Sequence, residues 1–138
     1  MNCRVFDNSK RDRQILCDIC YGCGSMSIKK SFSYIRTIQL YGGKSFFCDI
    51  FGEDIAFFAG YKGREHIRVF DLAIMLSEQR KGIGTQIMLY EIFKAKKQNI
   101  RKMTLRTAIN EQGQKFWMSL GGKIIGRSGD DWEMEIKF

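Results

Sequence analysis

The sequence predicts a mixed α/β fold, in which a mostly antiparallel central sheet is flanked by helices. Three apolar, aromatic-rich runs lie between residues 44 and 76 and are separated by short glycine turns, which is typical of an antiparallel meander. Segments with helical spacing precede and follow these runs. The 138 residues have the usual length of one domain and include no proline, so glycine marks the ends of the elements. We therefore expect a single domain over residues 1–138.

The first third of the chain is predicted to contain a strand and two helices. Residues 2–6 form the short strand. Residues 9–21 have the isoleucine and leucine spacing of a helix, which the glycines that follow would end. Residues 25–41 are ambiguous, and a second helix is predicted near residues 32–40.

The central part of the chain is predicted to form the meander and one long helix. The three strands of the meander are the runs SFFCDIF, EDIAFFAGY and HIRVFDLAIML. A helix follows over residues 84–98 and has an apolar and a polar face. The inner face is predicted to contain Ile87, Met88, Ile92 and Ala95, and the opposite face Gln86, Lys94 and Lys97.

Three further strand patterns and one more helix complete the chain. The run RKMTLRTA alternates apolar and polar residues and predicts a strand. A helix is predicted over residues 111–120, with Asn110 as its N-cap and Gly121 as the residue that ends it. The runs GGKIIG and DWEMEIKF supply the last two strands.

The composition is that of an intracellular, soluble protein. Apolar residues make up 44% of the chain, and no apolar run approaches the roughly 20 residues of a membrane span. Residues 1–10 are polar and lack the apolar region of a signal peptide. The five cysteines are an odd number, which favours reduced thiols over a disulfide framework. We expect a cytoplasmic location.

The chain is basic, with a formal net charge of +8. A positive balance suits nucleic acid, a phosphorylated ligand or an acidic partner. The lysines and arginines are scattered, and no basic run reaches five residues. This pattern favours a solvated basic surface over a groove that binds nucleic acid directly.

The segment QRKGIG at residues 79–84 has the properties of a phosphate-binding loop. It follows a predicted strand that ends at Leu76 and precedes a predicted helix. Unpaired N–H groups at a helix N-terminus carry partial positive charge and point outward. Glycines let the backbone approach an anion without a Cβ in the way. Arg80 and Lys81 add two full charges.

Three phosphate-binding motifs can be compared with the glycine segments. The dinucleotide fingerprint G-x-G-x-x-G fails, because Ile87 occupies the third glycine position. The P-loop pattern fails as well, because Ile38 stands where GGKS at residues 42–45 requires the first glycine. The pattern Q/R-x-x-G-x-G/A is matched at every position by residues 79–84.

The matched pattern, placed between a strand and a helix, resembles the pyrophosphate loop of the GCN5-related N-acetyltransferases. A second motif supports the resemblance. The run Asn110-x-x-Gly113-x-x-Phe116-Trp117-x-x-x-Gly121 is similar to that family's N-x-x-A-x-x-F-Y-x-x-x-G and lies after the next strand, as in the family. The resemblance covers residues 53–138, and the preceding residues match only as a strand followed by two helices.

The resemblance implies that acetyl-coenzyme A is the cosubstrate. It would lie in a V-shaped opening between the central strand and the strand after the helix, with its pyrophosphate on backbone N–H groups of residues 80–85. The strand edge at residues 74–76 would pair with the pantetheine amides, much as an added strand does. The residues assigned to this cosubstrate are Ile74, Leu76, Gln79, Arg80, Lys81, Gly82, Ile83, Gly84, Thr85, Asn110 and Phe116.

Two of the assigned residues also have an ordinary structural interpretation. Asn110 would hydrogen-bond the pantetheine arm, but it also suits the N-cap of the helix. Phe116 would pack beside the same arm, but it also suits the core.

The family's reaction is the direct attack of an amine on the thioester. It needs a base for the amine proton, and a backbone N–H near Ile74 would polarise the thioester carbonyl. Asp71, Glu65 and His66 are the candidate bases. Asp71 stands in the apolar run VFDLAIM, where a buried carboxylate would have a raised pKa. The structural alternative is an outward-facing Asp71 paired with Arg68.

Trp117 occupies the position at which the family usually has an acidic tyrosine. An indole N–H donates a hydrogen bond but cannot transfer a proton. A general acid accelerates such a reaction by about 10²–10⁴-fold. However, the thiolate of a thiol with a pKa of about 8.5 is a fair leaving group even when no general acid is present. The sequence allows a slower enzyme, an enzyme with a relocated acid, or a protein that binds acetyl-coenzyme A without turnover.

The resemblance implies an N-acetyltransferase that moves an acetyl group to a primary amine of a small molecule or a protein in a ternary complex. A positive surface would repel a polycationic acceptor and favours an acidic or nucleic-acid-associated one. The alternative is a catalytically inactive acetyl-coenzyme-A-binding module that acts through a partner or as a sensor. Dimers are common in the family, so a homodimer is also consistent with the resemblance.

The spacing of Cys17, Cys20 and Cys23 raises the question of a metal site. Zinc usually takes four ligands from paired motifs, and no second pair follows. A bacterial iron–sulfur run needs a fourth cysteine where the chain has Ser27. We expect no metal and interpret the three as thiols on a helix, with a zinc-dependent nucleic-acid-binding protein as the remaining alternative.

Overall fold

The computed structural model describes residues 1–23 and 45–138, which contain seven strands and three α-helices. In chain order the elements are β1 (Cys3–Val5), α1 (Lys10–Gly22), β2 (Phe46–Phe51), β3 (Ala56–Lys62), β4 (His66–Ile74), a 3₁₀ helix (Leu76–Glu78), α2 (Ile83–Lys97), β5 (Lys102–Ala108), α3 (Glu111–Ser119), β6 (Gly122–Ser128) and β7 (Asp131–Lys137). The helix predicted near residues 32–40 lies outside the described residues. None of the helices described is long and apolar enough to cross a membrane.

The described strands form one sheet in the order β1-β2-β3-β4-β5-β7-β6. All neighbours pair antiparallel except β4 and β5, which are parallel. A parallel pair needs a long crossover connection, and α2 provides it. The predicted mixed α/β class is confirmed, and the predicted meander is confirmed as β2-β3-β4.

The sheet separates two apolar clusters. Successive side chains of a strand point to opposite faces, so the fully buried neighbours Phe57 and Phe58 enter different clusters. Phe57 packs with Leu16 of α1, whereas Phe58 packs with Met88 of α2 and Met103 of β5. Burial of one such side chain stabilises the fold by about 1.5–3 kcal/mol. The sheet therefore has helices on both faces.

The parallel strands β4 and β5 diverge along their length. Only the first three residues of β4 pair with the first three of β5. Further along, Ala59 of β3 pairs with Asp71 and Gly60 with Val69, so Phe70 is an extra residue in β4. A β-bulge of this kind bends and twists its strand. The bulge accounts for a V-shaped opening between the C-terminal halves of β4 and β5.

The central strand is shorter than the sequence predicts. It was expected to include Leu76, but β4 ends at Ile74. The N–H group of Met75 makes a last bond to the carbonyl of Ile55, at 2.8 Å. The chain then turns, because the N–H group of Glu78 bonds back to Met75 at 2.9 Å.

The prediction for Lys94 is wrong in part, since this residue does not lie on a free polar face of α2. Its ammonium group pairs with the buried carboxylate of Asp49 on β2 and lies 3.0 Å from Glu91. Two-thirds of the Lys94 side chain is covered, because it is only 31% exposed. A lysine near a helix face can reach buried charge with its long stem while its head stays close to water.

Candidate active site

The glycine loop lies just beyond the C-terminal end of β4 and leads into α2. Arg80 and Gly82 both have left-handed backbone, with φ of 64° and 78°. Glycine adopts this conformation without a steric penalty, and a Cβ built on Gly82 would meet nothing within 4 Å. The backbone at Gly82 is therefore open to a ligand.

The amides of this loop are available to bind an anion. The N–H group of Gln86 makes the first bond of α2, to the carbonyl of Gly82 at 3.1 Å. Within the part of the chain that the structure describes, the N–H groups of residues 80–85 have no acceptor. Six unpaired amides at the positive end of a helix favour a phosphate group. Arg80 and Lys81 are exposed beside them, and Lys81 lies 3.2 Å from Glu78.

The side chain of Gln79 fixes the loop to two other elements. Its Nε2 donates to the carbonyl of Ile74 at the end of β4, at 2.8 Å, and to the carbonyl of Cys23 after α1, at 3.0 Å. Cys23 is 56 residues away in the chain. The sequence assigned Gln79 to ligand binding, whereas these bonds give it a positioning role: it holds the loop against the strand.

A cleft of about 660 Å³ extends from the glycine loop along β4 to α3. It brings together both predicted catalytic residues and most of the residues predicted to bind the cosubstrate. These are Asp71, Ile74, Gln79, Arg80, Gly82, Ile83, Gly84, Thr85, Asn110, Phe116 and Trp117. Leu76 and Lys81 were also assigned to the cosubstrate but do not line the cleft: Leu76 begins the 3₁₀ helix and is exposed, and Lys81 turns to Glu78.

The helix α3 forms the wall of the cleft opposite β4. Asn110 is its N-cap, as predicted, and its side-chain oxygen accepts a hydrogen bond from the N–H group of Gly113 at 2.8 Å. A Cβ built on Gly84 would lie 3.1 Å from the Phe116 ring and 3.2 Å from Ile74. Glycine at position 84 therefore lets α2 approach β4 and α3 together, which closes one end of the cleft.

Asp71 follows the bulge of β4 and faces the cleft. Burial raises the pKa of its carboxyl group to about 6, although a hydrogen bond from the backbone of Leu72 opposes the shift. The alternative pairing with Arg68 is not observed, because Arg68 binds both oxygens of Glu133 at 2.8 and 2.9 Å. A carboxylate with this pKa is ionised at neutral pH and can accept a proton.

The other candidate bases are placed away from the cleft. Glu65 precedes β4 and His66 is the first residue of β4, at the end of the strand opposite the glycine loop. The carbonyl of Glu65 accepts from Arg101, and the carbonyl of His66 accepts from Gly63. Of the three candidates, only Asp71 lines the cleft.

Trp117 lines the cleft beside Phe116. The two rings meet edge to face, with centroids 4.9 Å apart. No tyrosine is present among the described residues that line the cleft. The tryptophan therefore supplies an apolar surface, and an indole N–H, at the place where the family motif has a hydroxyl group.

The clustered cysteines of α1 are mainly buried in an apolar environment. Cys17 and Cys20 pack in the cluster on the α1 face, and burial raises the pKa of both thiols. Within residues 1–23 and 45–138, no three His, Cys, Asp or Glu side chains are grouped so that they could hold a metal ion. Cys23 lies at the end of α1 and lines the cleft.

The sequence reasoning missed three polar residues that line the cleft, namely Cys23, Glu78 and Gln112. Gln112 lies between Asn110 and Gly113, so its position in the second motif was the available signal. Cys23 gave no local signal, since it reaches the cleft only through the packing of α1 on the sheet.

The sheet that opens between β4 and β5, with a glycine loop of unpaired amides at the opening, is the architecture of an acetyltransferase fold. The chain belongs to the acetyltransferase (GNAT) family, whose family model matches residues 22–121. A comparison with curated protein sequences finds no match.

Solved structures of acetyltransferases are similar over almost the whole chain. PaiA N-acetyltransferase from Thermoplasma acidophilum, in complex with coenzyme A, has a TM-score of 0.79 at 19% identity and covers 100% of both chains. Aminoglycoside 6′-N-acetyltransferase from Enterococcus faecium has a TM-score of 0.77 at 16% identity, over 99% of this chain and 97% of that chain. Ribosomal-protein-S18-alanine N-acetyltransferase from Escherichia coli has a TM-score of 0.77 at 14% identity, over 99% and 94%. These similarities show a shared fold.

Proposed function

We propose that the protein is an N-acetyltransferase that transfers the acetyl group of acetyl-coenzyme A to a primary amine. The observation that carries this proposal is the cleft itself. It has unpaired amides of residues 80–85 at one end and the ionisable carboxyl group of Asp71 in its wall. The coenzyme A in the structure of the similar PaiA enzyme supports the assignment of the cosubstrate.

The residues of the cleft fit acetyl-coenzyme A as a ligand. The pyrophosphate would bind the amides of residues 80–85, aided by Arg80. The pantetheine arm would extend along β4 towards Asp71, with the Asn110 amide and the Phe116 ring on its other side. The carbonyl of Ile74 already accepts from Gln79, so the strand would contribute its remaining backbone groups to the arm.

Asp71 is the proposed base for the amine. A lysine-like ammonium, of pKa about 10.4, has no lone pair and must first lose a proton to water, because Asp71 is too weak a base to remove it; the neutral amine then attacks the thioester carbon. The new C–N bond makes the nitrogen cationic and much more acidic, and the Asp71 carboxylate then takes its proton. The C–S bond breaks and the sulfur leaves as a thiolate. The reaction takes place with both substrates bound, in a ternary complex.

None of the described residues that line the cleft is a tyrosine that could protonate the leaving thiolate. A thiol of pKa about 8.5 leaves adequately and can take a proton from water. Trp117 is expected to exclude solvent and hold the arm rather than transfer a proton. We expect a rate below that of an enzyme with an acid here, by up to about 10²–10⁴-fold.

The same tryptophan supports a second candidate function. A protein that has lost its general acid but kept the amide loop would bind acetyl-coenzyme A without turnover. Such a module would act through a partner or as a sensor of the cosubstrate.

A thiol-release assay distinguishes the two candidates. Wild type and Trp117→Tyr are incubated with acetyl-coenzyme A and a panel of primary amines, and free coenzyme A is followed with a thiol reagent. Amine-dependent release by the wild type, increased by Trp117→Tyr, is the expected result. If neither protein releases thiol although calorimetry shows acetyl-coenzyme A bound, the binding module replaces the enzyme as the conclusion.

A further inference from the structure

The bulge of β4 places an exposed aromatic residue beside Asp71. Phe70 is the extra residue of the bulge and is 46% exposed. Its ring stacks on Phe46 of β2, with centroids 5.9 Å apart and planes at 22°. Phe46 packs against the apolar cluster on the α1 face of the sheet. Phe70 therefore lies on that face.

A third ring extends this surface. Tyr61 is the direct register partner of Phe46 across β2 and β3, and directly paired residues lie on one face of a sheet. It is 44% exposed. Phe46, Tyr61 and Phe70 together form what we call the aromatic patch.

Asp71 faces the same side of the sheet as the aromatic patch. Its register partner Ala59 belongs to the cluster on the α1 face, two residues before Tyr61 on β3. Along β4 the order is thus the aromatic patch, Asp71, Ile74 and then the glycine loop. The cosubstrate would occupy the loop end, so the aromatic patch, which does not itself line the cleft, lies beyond Asp71 on the side left for the acceptor.

The charge of the protein further limits which amines can be the acceptor. The chain has a net charge of +8, which repels a polycation such as a polyamine. Asp71 supplies the negative charge next to the aromatic patch, whereas Glu78, the other carboxylate that lines the cleft, lies at the glycine loop and is paired with Lys81. An exposed aromatic surface next to a single carboxylate matches a ligand that has one cation and one ring.

We propose that the acceptor is a primary amine joined to an aromatic ring by a short linker, with its ring on the aromatic patch and its nitrogen at Asp71. This inference rests on the proposed acetyl transfer and specifies its substrate class. Phe70 and Asp71 are neighbours in the chain, with Cα atoms about 3.8 Å apart, so a linker of about two carbons spans the distance. The arylethylamine unit occurs in free amines and in the N-terminal aromatic residue of a peptide.

The test compares acceptors that differ only in the ring. Thiol release is measured with 2-phenylethylamine, ethylamine, spermidine and the tripeptide Phe-Gly-Gly. We expect kcat/KM for 2-phenylethylamine to exceed that for ethylamine by at least about tenfold, with spermidine poorest. A higher value for Phe-Gly-Gly than for 2-phenylethylamine would identify the peptide as the source of the ring. Equal values for 2-phenylethylamine and ethylamine would overturn the inference.

Substitutions locate the effect at the aromatic patch. Phe70→Ala is expected to raise KM for 2-phenylethylamine about tenfold, so that the preference for 2-phenylethylamine over ethylamine, taken as the ratio of their kcat/KM values, is lost. Phe70→Tyr keeps the ring and should keep the preference. Phe93→Ala is the matched control, because Phe93 is 59% exposed on α2, away from the cleft. A Phe70→Ala protein that retains the preference contradicts the assignment.

A binding measurement separates this inference from the proposed function. Titration calorimetry of 2-phenylethylamine into the protein saturated with coenzyme A needs no turnover. If no amine releases thiol, the proposed function fails, and the titration decides the inference alone. Binding that Phe70→Ala weakens supports it, and absence of binding to the wild type refutes it.

Discussion

Asp71 faces the cleft because Phe70, the extra residue of the β4 bulge, directly precedes it. In a regular strand the insertion of one residue moves every later side chain to the other face, and the bulge at Phe70 absorbs such a shift. The same bulge lies where β4 no longer pairs with β5, so the sheet opens beside the cleft. One backbone irregularity thus provides the space for the ligand and directs a carboxyl group into it.

The first prediction concerns the titration of Asp71. Its pKa is raised to about 6, and the ionised form is the base, so kcat should show an inflection near pH 6 and fall below it, separately from the rise at higher pH that accompanies deprotonation of the acceptor amine. Asp71→Asn should lower kcat by about 10²–10⁴-fold and remove this inflection, while coenzyme A affinity stays the same. Thiol release between pH 5 and pH 9 at saturating substrates measures kcat and its pH dependence. Wild-type rates in Asp71→Asn would exclude Asp71 as the base.

At the scale of elements, the glycine loop depends on contacts from outside itself. The loop is bonded to the end of β4 and to the residue after α1 through Gln79. A loop whose amides are already oriented loses less conformational entropy when the ligand binds. Gln79 is therefore expected to contribute to affinity without touching the phosphates.

The second prediction tests this role of Gln79. Gln79→Ala removes two hydrogen bonds that hold the loop, each worth about 0.5–1.5 kcal/mol, so the Kd for coenzyme A should rise roughly tenfold. Gln86→Ala, at an exposed position of α2, is the control and should bind like the wild type. Calorimetry measures both. An unchanged Kd for Gln79→Ala would show that the loop keeps its shape without this residue.

The contact between α2 and β2 contains a buried group of charges. Glu91 is fully buried, and its carboxyl group lies 3.0 Å from the ammonium group of Lys94. Burial raises the pKa of Glu91 to about 9, and the neighbouring Asp49 adds to the shift, while Lys94 opposes it. Glu91 is therefore protonated in the folded protein at neutral pH, although it would be ionised in the unfolded chain.

The third prediction follows from this difference in pKa. Because the folded state holds a proton that the unfolded state releases, stability should decrease as the pH rises from about 4.5 towards about 9. Glu91→Gln mimics the protonated carboxyl group, so its melting temperature should exceed that of the wild type at pH 8 and depend less on pH. Melting temperatures from pH 5 to pH 9 provide the measurement.

A control variant isolates the effect of burial. Glu111→Gln changes a glutamate whose side chain is 80% exposed, and it should alter stability by no more than about 0.5 kcal/mol at any pH in this range. The same pH slope in the wild type and in Glu91→Gln would assign the slope to other groups.

At the scale of the whole molecule, the two apolar clusters and the open sheet between them explain how the cleft coexists with a stable core. In the described residues, 1–23 and 45–138, an apolar cluster covers each face of the meander. The C-terminal half of β4, in contrast, does not pair with β5. A ligand that fills this opening joins the loop, β4 and α3. Its binding should therefore stabilise the entire fold.

The fourth prediction is that coenzyme A raises the melting temperature through its pyrophosphate. At a concentration of about 100 times Kd, a ligand increases the free energy of unfolding by about 2.7 kcal/mol. This corresponds to a rise of roughly 5–10 °C in the melting temperature of a chain of this length. Pantetheine has no phosphate and should give a much smaller shift at the same concentration. Equal shifts for the two ligands would mean that the amides of residues 80–85 do not carry the affinity.

Local patterns predicted the features that depend on neighbours in the chain. The alternation of RKMTLRTA and the apolar spacing of residues 84–98 correspond to β5 and α2, and Asn110 caps α3 through a bond to a residue three positions away. The glycine loop could also be predicted, because its amides are left unpaired by the start of a helix. The expectation of a single domain and that of a homodimer stay predictions.

Contacts between distant residues decided the rest, because spacing along a chain carries no information about them. The residue patterns were enough to predict the order of the described elements, the family and the residues of the glycine loop. Which of the candidate bases lines the cleft depends on folding in three dimensions, since a bulge in β4 orients Asp71 while Glu65 and His66 remain at the other end of the strand. The tertiary structure also lets Gln79 bond to Cys23, which is 56 residues away, and places Lys94 between two buried carboxyl groups. Long side chains bond to distant residues only after the packing of the sheet has brought those residues close.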